Sequence, residues 1–480
     1  MALSEAQIRQ LVNEAILEAG GAEPAEASYR KTAAYSTLPE ASGQWLCDDA
    51  DEAISNAKRS QMMLAGMSLE HRGRIISAMR EAAYRNAEAL AELAHNETGY
   101  GRVEHKILKN RLAATNTPGI EDLHPVAYSG DNGLTIVEGA PFGVIGSITP
   151  STNPTSTVIN NSISMIAAGN SVVYNPHPSA KNSSTEAMRV LNEAVVSVGG
   201  PPALMTTVRV PTPLSGTAIM SHKDVKLLSI TGGEAVVSVA MKSGKKVIAA
   251  GPGNPPVIAD NTAFLPQAAK DIVDGASFDN NVLCVAEKEV FVFDDIAGDL
   301  MSQMIHCGAQ KVSGADIDKI VNTVFEKRDG RYVINRNFVG RSASYILRQS
   351  GVSSVGEPRL VIAEVDKYHP LVMTEMLMPV LPIVRVKNID EAIEEALRAE
   401  QGYQHSAMIH STNIRNMSAA AAALNTTIFV KNAPSYSGLG FGGEGYATLT
   451  IATPTGEGLT SAKSFTRARR CVLKGDFRIV

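Results

Sequence analysis

At 480 residues the chain exceeds what one hydrophobic core ordinarily supports, so two or three domains are expected. Its apolar fraction of 44% and charged fraction of 19% are those of a globular chain, and a net charge of −5 gives no basic excess for nucleic acid. Cys47, Cys284, Cys307 and Cys471 lie far apart without paired spacing, which argues for a reducing compartment and against a disulfide framework or a zinc ribbon; no metal site is expected. No apolar run reaches the length of a membrane span, and no basic-then-apolar leader opens the chain, so neither a span nor a secretory signal is expected.

The first twenty residues read as an amphipathic helix. Ser4 and Gln7 form a capping box, Glu5 suits the first turn, and Ile8, Leu11, Val12, Ala15 and Ile16 make one apolar stripe. Gly20 and Gly21 end it, and a stretch rich in Ala, Glu, Ser and Pro runs to about Ser42 without apolar periodicity. A capped helix on such a leash suits a docking peptide; packing on its own domain is the alternative. Arg9 is its only basic residue, which disfavours a membrane-surface role.

From Asp49 to Arg111 Ala-rich, charged turns predict helices covering a domain, and Leu134–Glu138 alternates like a half-exposed strand. Between Ala140 and Leu228 the texture changes. Val144–Ile148 and Ser171–Tyr174 read as buried strands, and the intervening 157–168 segment, entered through Pro154, has helical length. That is a βαβ unit with a mostly parallel sheet. A second such region is expected from Lys246 to about Val386, with strands at Val257–Ala259, Val290–Phe293, Leu360–Ala363 and Leu381–Val386. Gly438, Gly440 and Gly443 match G-x-G-x-x-G, but Ala447–Ile451 after them reads as strand, and the dinucleotide fingerprint needs a helix there. A glycine-rich surface loop is the better reading.

The chemistry is expected at Ser277–Cys284, where a cysteine closes a run of small and amide residues. A thiol acts as a nucleophile through its thiolate, and the amides of Asn280 and Asn281 offer donors to a developing oxyanion. A buried structural cysteine is the bland alternative.

Several stretches together resemble the aldehyde dehydrogenase superfamily, and within it the CoA-acylating branch of propanediol-utilising bacterial microcompartments. They are Pro141–Pro154, Asn175–Ala180, Ser229–Gly233, the Cys284 segment and Glu375–Val380, with Phe429–Asn432 through Thr453–Gly458 like the acylating branch in particular. The resemblance implies that Cys284 attacks an aldehyde carbonyl while the Asn153 amide and the cysteine's own backbone N–H stabilise the oxyanion. Hydride then passes to NAD, leaving a thioester on Cys284. It further implies that Thr149, Pro150, Asn175, His177, Thr231, Gly232 and Gly233 contact the cofactor, that Glu375 bonds the nicotinamide ribose, and that Leu377 replaces the usual phenylalanine against the nicotinamide.

Many hydrolytic relatives carry a glutamate where Ala250 stands here, and a methyl group cannot activate water, so coenzyme A becomes the expected acyl acceptor. Asn175 likewise replaces a lysine, which could accommodate the adenosine end of both NAD and CoA.

The implied fold is α/β. Residues 43–116 with 139–249 form a Rossmann-like NAD-binding domain, 250–436 the catalytic domain, 117–138 with 467–480 a small β oligomerisation arm, and 437–466 a return segment. Residues 1–20 become an encapsulation helix on a 21–42 linker, docking on a microcompartment shell or cargo protein. A homodimer or homotetramer in the cytoplasm, within a microcompartment, is expected, with propionaldehyde favoured as substrate. The rivals are an acetylating acetaldehyde dehydrogenase of an ethanolamine or choline compartment, a hydrolytic aldehyde dehydrogenase, and a silent scaffold.

Overall fold

The computed structural model describes residues 44–328 and 331–478; the helix expected over residues 1–20 and the linker expected over 21–42 lie outside them. The chain divides into two compact units. One comprises the residues up to Asn86, Ala113–Ala250 and Thr448 onward; the other comprises Ala87–Leu112 and Gly251–Ala447. The helical stretch expected to cover the cofactor domain is therefore shared: residues 87–112 group with the second unit.

The first unit is built on a parallel sheet of six strands, in spatial order Leu46–Cys47, Met205–Val208, Ser171–Pro176, Val144–Thr149, Val225–Thr231 and Lys246–Ala250. Residues of Val144–Thr149 and Ser171–Pro176 are almost all buried, as expected for continuous apolar runs covered on both faces. From Val144–Thr149 the chain winds outward through Ser171–Pro176 and Met205–Val208, next to the earlier strand Leu46–Cys47, then returns to pair Val225–Thr231 on the other side. The direction of winding thus reverses between Thr149 and Thr231. Ligands bind parallel α/β sheets at the carboxyl ends of strands at such a reversal.

Helix Pro154–Ala167 is buried along its whole length, with Pro at its first turn, where a missing N–H costs nothing. Two outer helices are capped by side chains: Asp49 accepts from the Glu52 N–H (2.8 Å) at Ala50–Ala65, and Ser68 from His71 (3.1 Å) at Leu69–Arg85.

A small antiparallel sheet joins Val126–Gly130, Gly133–Pro141 and Thr466–Lys474 in that order. Gly133 makes the hairpin possible: its φ is +115°, and a Cβ there would collide with the Leu473 carbonyl. The expected strand at Ala447–Ile451 shrinks to Ile451–Ala452. The preceding residues bond to side chains rather than a ladder: the Leu449 N–H and Thr448 hydroxyl donate to Asn160 (3.0 and 3.2 Å), and the Thr450 hydroxyl to Asn161 (2.8 Å).

The second unit holds a parallel sheet of seven strands, in order Ala309–Val312, Leu360–Glu364, Val380–Val386, Glu289–Phe293, Pro256–Ala259, Ser406–His410 and Ile428–Lys431. Two boundaries of the expected second region are corrected. Lys246–Ala250 closes the first sheet, and the second continues past Val386 to Lys431. Ser406–His410 escapes a sequence reading because a buried strand containing Ser and His lacks the β-branched signature, although every residue in it is buried. The glycine-rich 438–443 loop leads to the strand Ile451–Ala452 with no helix between them, as expected from its sequence.

Candidate active site

Helix Leu265–Ser277 ends where Phe278 turns extended, and then Asp279, Asn280 and Asn281 take φ of +49°, +51° and +66°. Left-handed residues outside glycine normally occur singly, with Asn and Asp the most tolerant. Such a conformation costs on the order of 1–3 kcal/mol per residue and persists only where the surroundings over-determine it.

They do so here. Asn280 donates through its amide to the carbonyls of Gly101 (3.2 Å) and Gly340 (2.9 Å), and Asn281 to those of Ala276 and Glu287 (both 2.9 Å). Both amides are thereby committed to the chain, so the expectation that they face an oxyanion is corrected. The Lys288 ammonium donates to the Asn281 side chain and to the carbonyls of Asn281 (3.1 Å) and Leu283 (3.2 Å). Cys284, four residues before Lys288, is partly exposed between the buried Leu283 and Val285.

The thiol occupies a poorly hydrated recess. Burial, reinforced by the charge of Glu375, pushes its pKa up to about 12, while Lys288 and Lys109 pull it down. Cys284 therefore keeps its proton until a reaction draws it off. Glu375 is itself raised to about 7 by burial, against the opposing Lys288 charge and a hydrogen bond from the Gly253 N–H. Leu377, two residues on, has φ +50°, and its carbonyl accepts from Gly340 N–H (2.9 Å), the residue whose carbonyl receives Asn280. The Glu375–Leu377 segment is thus tied to the turn that carries the thiol.

His405 belongs to the same neighbourhood. A Cβ on Gly253 would press on its ring, its Nδ1 meets the Ser406 hydroxyl at 2.8 Å, and its Nε2 is buried with no partner among the described residues. Burial, then the Lys288 charge, lowers its pKa to about 4, so the imidazole is neutral at physiological pH.

Of the cofactor residues expected from sequence, Thr149, Pro150, Thr231, Gly232 and Gly233 lie at the carboxyl edge of the first sheet, whereas Glu375 and Leu377 belong to the second unit. Thr149 ends its strand with Oγ1 buried and without a partner among the described residues, an open polar position where a ligand is expected. Pro150 follows it. Thr231 ends the neighbouring strand with its hydroxyl 3.3 Å from that of Thr450, and Gly232 N–H donates to the Ala250 carbonyl (3.2 Å). Gly233 then caps helix Glu234–Met241 without a side chain, and a Cβ there would meet only open space. A glycine-opened helix start at a winding reversal fits a pyrophosphate.

The Asn175 amide donates to the Thr212 carbonyl (3.2 Å) and accepts from Ser215 (2.6 Å), bracing the start of helix Pro213–Ser221. His177 is exposed and turns Nδ1 to Ser179 (2.7 Å to its hydroxyl). Asn153 sits at the N-cap of Pro154–Ala167 but makes no capping bond; its amide lies 3.3 Å from the Thr152 hydroxyl.

Sequence reasoning missed Lys288, His405 and the Lys106–Lys109–Asp279 group. Glu287–Lys288–Glu289 reads as a solvated charge run, yet all three are buried. Its position between the apolar pairs Val285–Ala286 and Val290–Phe291 is the one signal that could have exposed it.

Residues 44–449 match the model of the aldehyde dehydrogenase family. The chain is 50% identical to the acetylating acetaldehyde dehydrogenase of Salmonella typhimurium across 90% of this chain and 92% of that one. It is 46% identical to the CoA-propanoylating propanal dehydrogenase of the same organism, covering 94% and 97%. The structure of a propionaldehyde dehydrogenase from the fucose utilisation microcompartment of Clostridium phytofermentans superposes with a TM-score of 0.89 at 47% identity, over 91% of this chain and all of that one. Fold, thiol and sequence agree: the chain belongs to the aldehyde dehydrogenase family.

Proposed function

We propose that the protein is a CoA-acylating dehydrogenase that oxidises a short-chain aldehyde, propionaldehyde first, to its CoA thioester with NAD. The observation that carries this reading is the setting of Cys284: a partly exposed thiol on a strained turn, under the charges of the buried Lys288 and the half-buried Glu375. The first unit serves as the NAD-binding domain and the second as the catalytic domain.

The thiol gives up its proton as its sulfur adds to the aldehyde carbon, with Lys288 and Lys109 favouring the anionic sulfur. Asn153 donates its amide to the oxygen that becomes charged in that step. Bound NAD would supply the hydride acceptor, and loss of hydride from the adduct would leave Cys284 as a thioester. Thr149, Pro150, Thr231, Gly232 and Gly233 would hold the dinucleotide, Glu375 its ribose, and Leu377 would face the nicotinamide. Ala250, buried at a strand end, offers water no base. The acyl group therefore waits for the thiol of CoA.

Rapid mixing of enzyme, NAD and propionaldehyde without CoA should release one NADH per Cys284 and then stop, with CoA restoring turnover. Full-rate turnover without CoA would establish a hydrolytic enzyme instead. Acetaldehyde is the close alternative, since the relative named for it shares 50% identity and the propanal enzyme 46%. One methylene in an apolar pocket changes binding by only about 1–3 kcal/mol, so overlapping use of both aldehydes is expected.

Thr466–Lys474 is an edge strand with Val472 and Leu473 exposed, which supports pairing with a second copy in a homodimer or homotetramer. Residues 1–20 are read as a docking helix for a microcompartment shell or cargo protein. Their deletion should leave turnover intact and abolish co-purification with shells; lost turnover would count against the docking role.

A further inference from the structure

We propose that the buried Lys106–Asp279–Lys109 cluster positions the Cys284 nucleophile, with Asp279 pinning the left-handed turn that carries it and Lys109 holding positive charge near the sulfur. The inference rests on Cys284 being the nucleophile. Asp279, Lys106 and Lys109 are 0%, 3% and 2% exposed. Both ammonium groups converge on one carboxylate oxygen of Asp279, Lys106 at 3.1 Å, while the other oxygen accepts the Arg102 N–H at 2.7 Å. The Asp279 N–H donates to His105 Nδ1 at 2.8 Å, and the His105 ring stacks on Phe278 with centroids 4.5 Å apart.

Gly101 has φ +69°, and any Cβ on it would collide with the Asp279 carboxylate, so the backbone itself is shaped to admit this side chain. Burying two cations for one anion is costly unless the arrangement serves something. The nearest consequence is at the thiol, whose surrounding charges are Glu375, Lys288 and Lys109. Lys109 is lowered to about 8 by burial, with Asp279 opposing that shift. The carboxylate thus both holds the turn and keeps Lys109 charged at neutral pH.

The test is alkylation of Cys284 by iodoacetamide across pH 6–10 in the free enzyme, with the modified residue assigned by mass spectrometry. This readout does not depend on the choice of aldehyde or acceptor, so it fails separately from the proposed function. Lys109→Gln keeps a donor to Asp279 and removes the charge. Below about pH 7 its alkylation should be roughly tenfold slower than the wild type's, the gap closing above pH 8 as wild-type Lys109 loses its proton, with Lys109→Arg restoring the rate below pH 7. Asp279→Asn should lower kcat for CoA-dependent NADH formation at least tenfold, leaving KM for NAD and CoA within about twofold. If Asp279→Asn does not fold, Lys109→Gln decides alone. A Lys109→Gln profile superimposed on the wild type overturns the charge role, and an Asp279→Asn enzyme with wild-type kcat overturns the positioning role.

Discussion

The carboxyl edge of the first sheet and the thiol turn of the second unit solve the problem of making a site in opposite ways. The edge around Thr149, Thr231 and Gly233 uses hydroxyls, backbone N–H groups and glycines in ordinary conformations. The turn around Cys284 gathers Asp279, Lys106, Lys109, Lys288 and Glu375 in and around a backbone forced left-handed at successive residues. A cofactor edge has to admit and release its ligand without forming a bond to it, and neutral donors suffice for that. A nucleophile has to change charge in place, so its surroundings are ionic and rigid. The thiol turn should accordingly respond to single substitutions in the chemical step, and the cofactor edge in binding.

Replacing Cys284 by Ala breaks the comparison most completely. Steady-state NADH formation should fall on the order of 10⁴-fold or more, since no other group there can carry the acyl chain. Circular dichroism should be unchanged, because a small side chain replaces a small one. Residual turnover at even a hundredth of wild type would sink the covalent route. Next comes Asn153→Ala. If Asn153 is the proposed oxyanion donor, its loss should cost kcat about 10²–10³-fold, and because its side chain makes no capping bond the helix behind it should stay folded by thermal melting. A change confined to KM would remove Asn153 from the chemical step.

How much of this was legible beforehand follows the same division. The cofactor edge lies where short apolar runs alternate with a helix, a local pattern that a sequence displays, and Val144–Thr149, Pro154–Ala167 and Ser171–Pro176 formed as expected. The thiol turn depends on partners from elsewhere in the chain: Lys109 and Asp279 are separated by 170 positions. No periodicity connects them, and each alone reads as a surface charge. Lys288 failed for a related reason, since its buried position is decided by Asn281 and Leu283 carbonyls that only the folded turn presents. Asn175 shows the converse: a residue in the resembling motif whose amide also donates to Thr212 and accepts from Ser215, partners that no local pattern displays.

Glu375→Gln sharpens the contrast within the thiol turn. The wild-type carboxyl titrates near pH 7, and its ionised form raises the Cys284 pKa. Below about pH 6 Glu375 is protonated in the wild type, so variant and wild type should alkylate at the same rate. Above pH 8 the wild type carries the negative charge and the variant does not. The variant thiol should then react about three- to tenfold faster. Stability follows the same sign. A carboxyl raised from 4.5 to about 7 favours the folded state below its unfolded pKa and loses that contribution as pH rises through 7. The variant's melting temperature should therefore exceed the wild type's at pH 8 and approach it at pH 5. Equal alkylation at every pH would remove Glu375 from the thiol's electrostatics.

The smallest effect tests the other region. Thr149→Val exchanges a buried hydroxyl for a methyl of nearly the same shape, and that hydroxyl has no partner among the described residues of the protein. A buried donor left unsatisfied costs roughly 1–3 kcal/mol, so removing it should raise the melting temperature of the free enzyme slightly. If the hydroxyl instead serves bound NAD, the same substitution should raise the KM for NAD a few-fold and leave kcat and Cys284 alkylation unchanged. Stabilisation without a change in KM would make Thr149 a tolerated packing defect. Stabilisation with a higher KM would mean that the free protein leaves this polar position unfilled because the cofactor fills it, which is what a neutral binding edge requires and a charged catalytic turn does not.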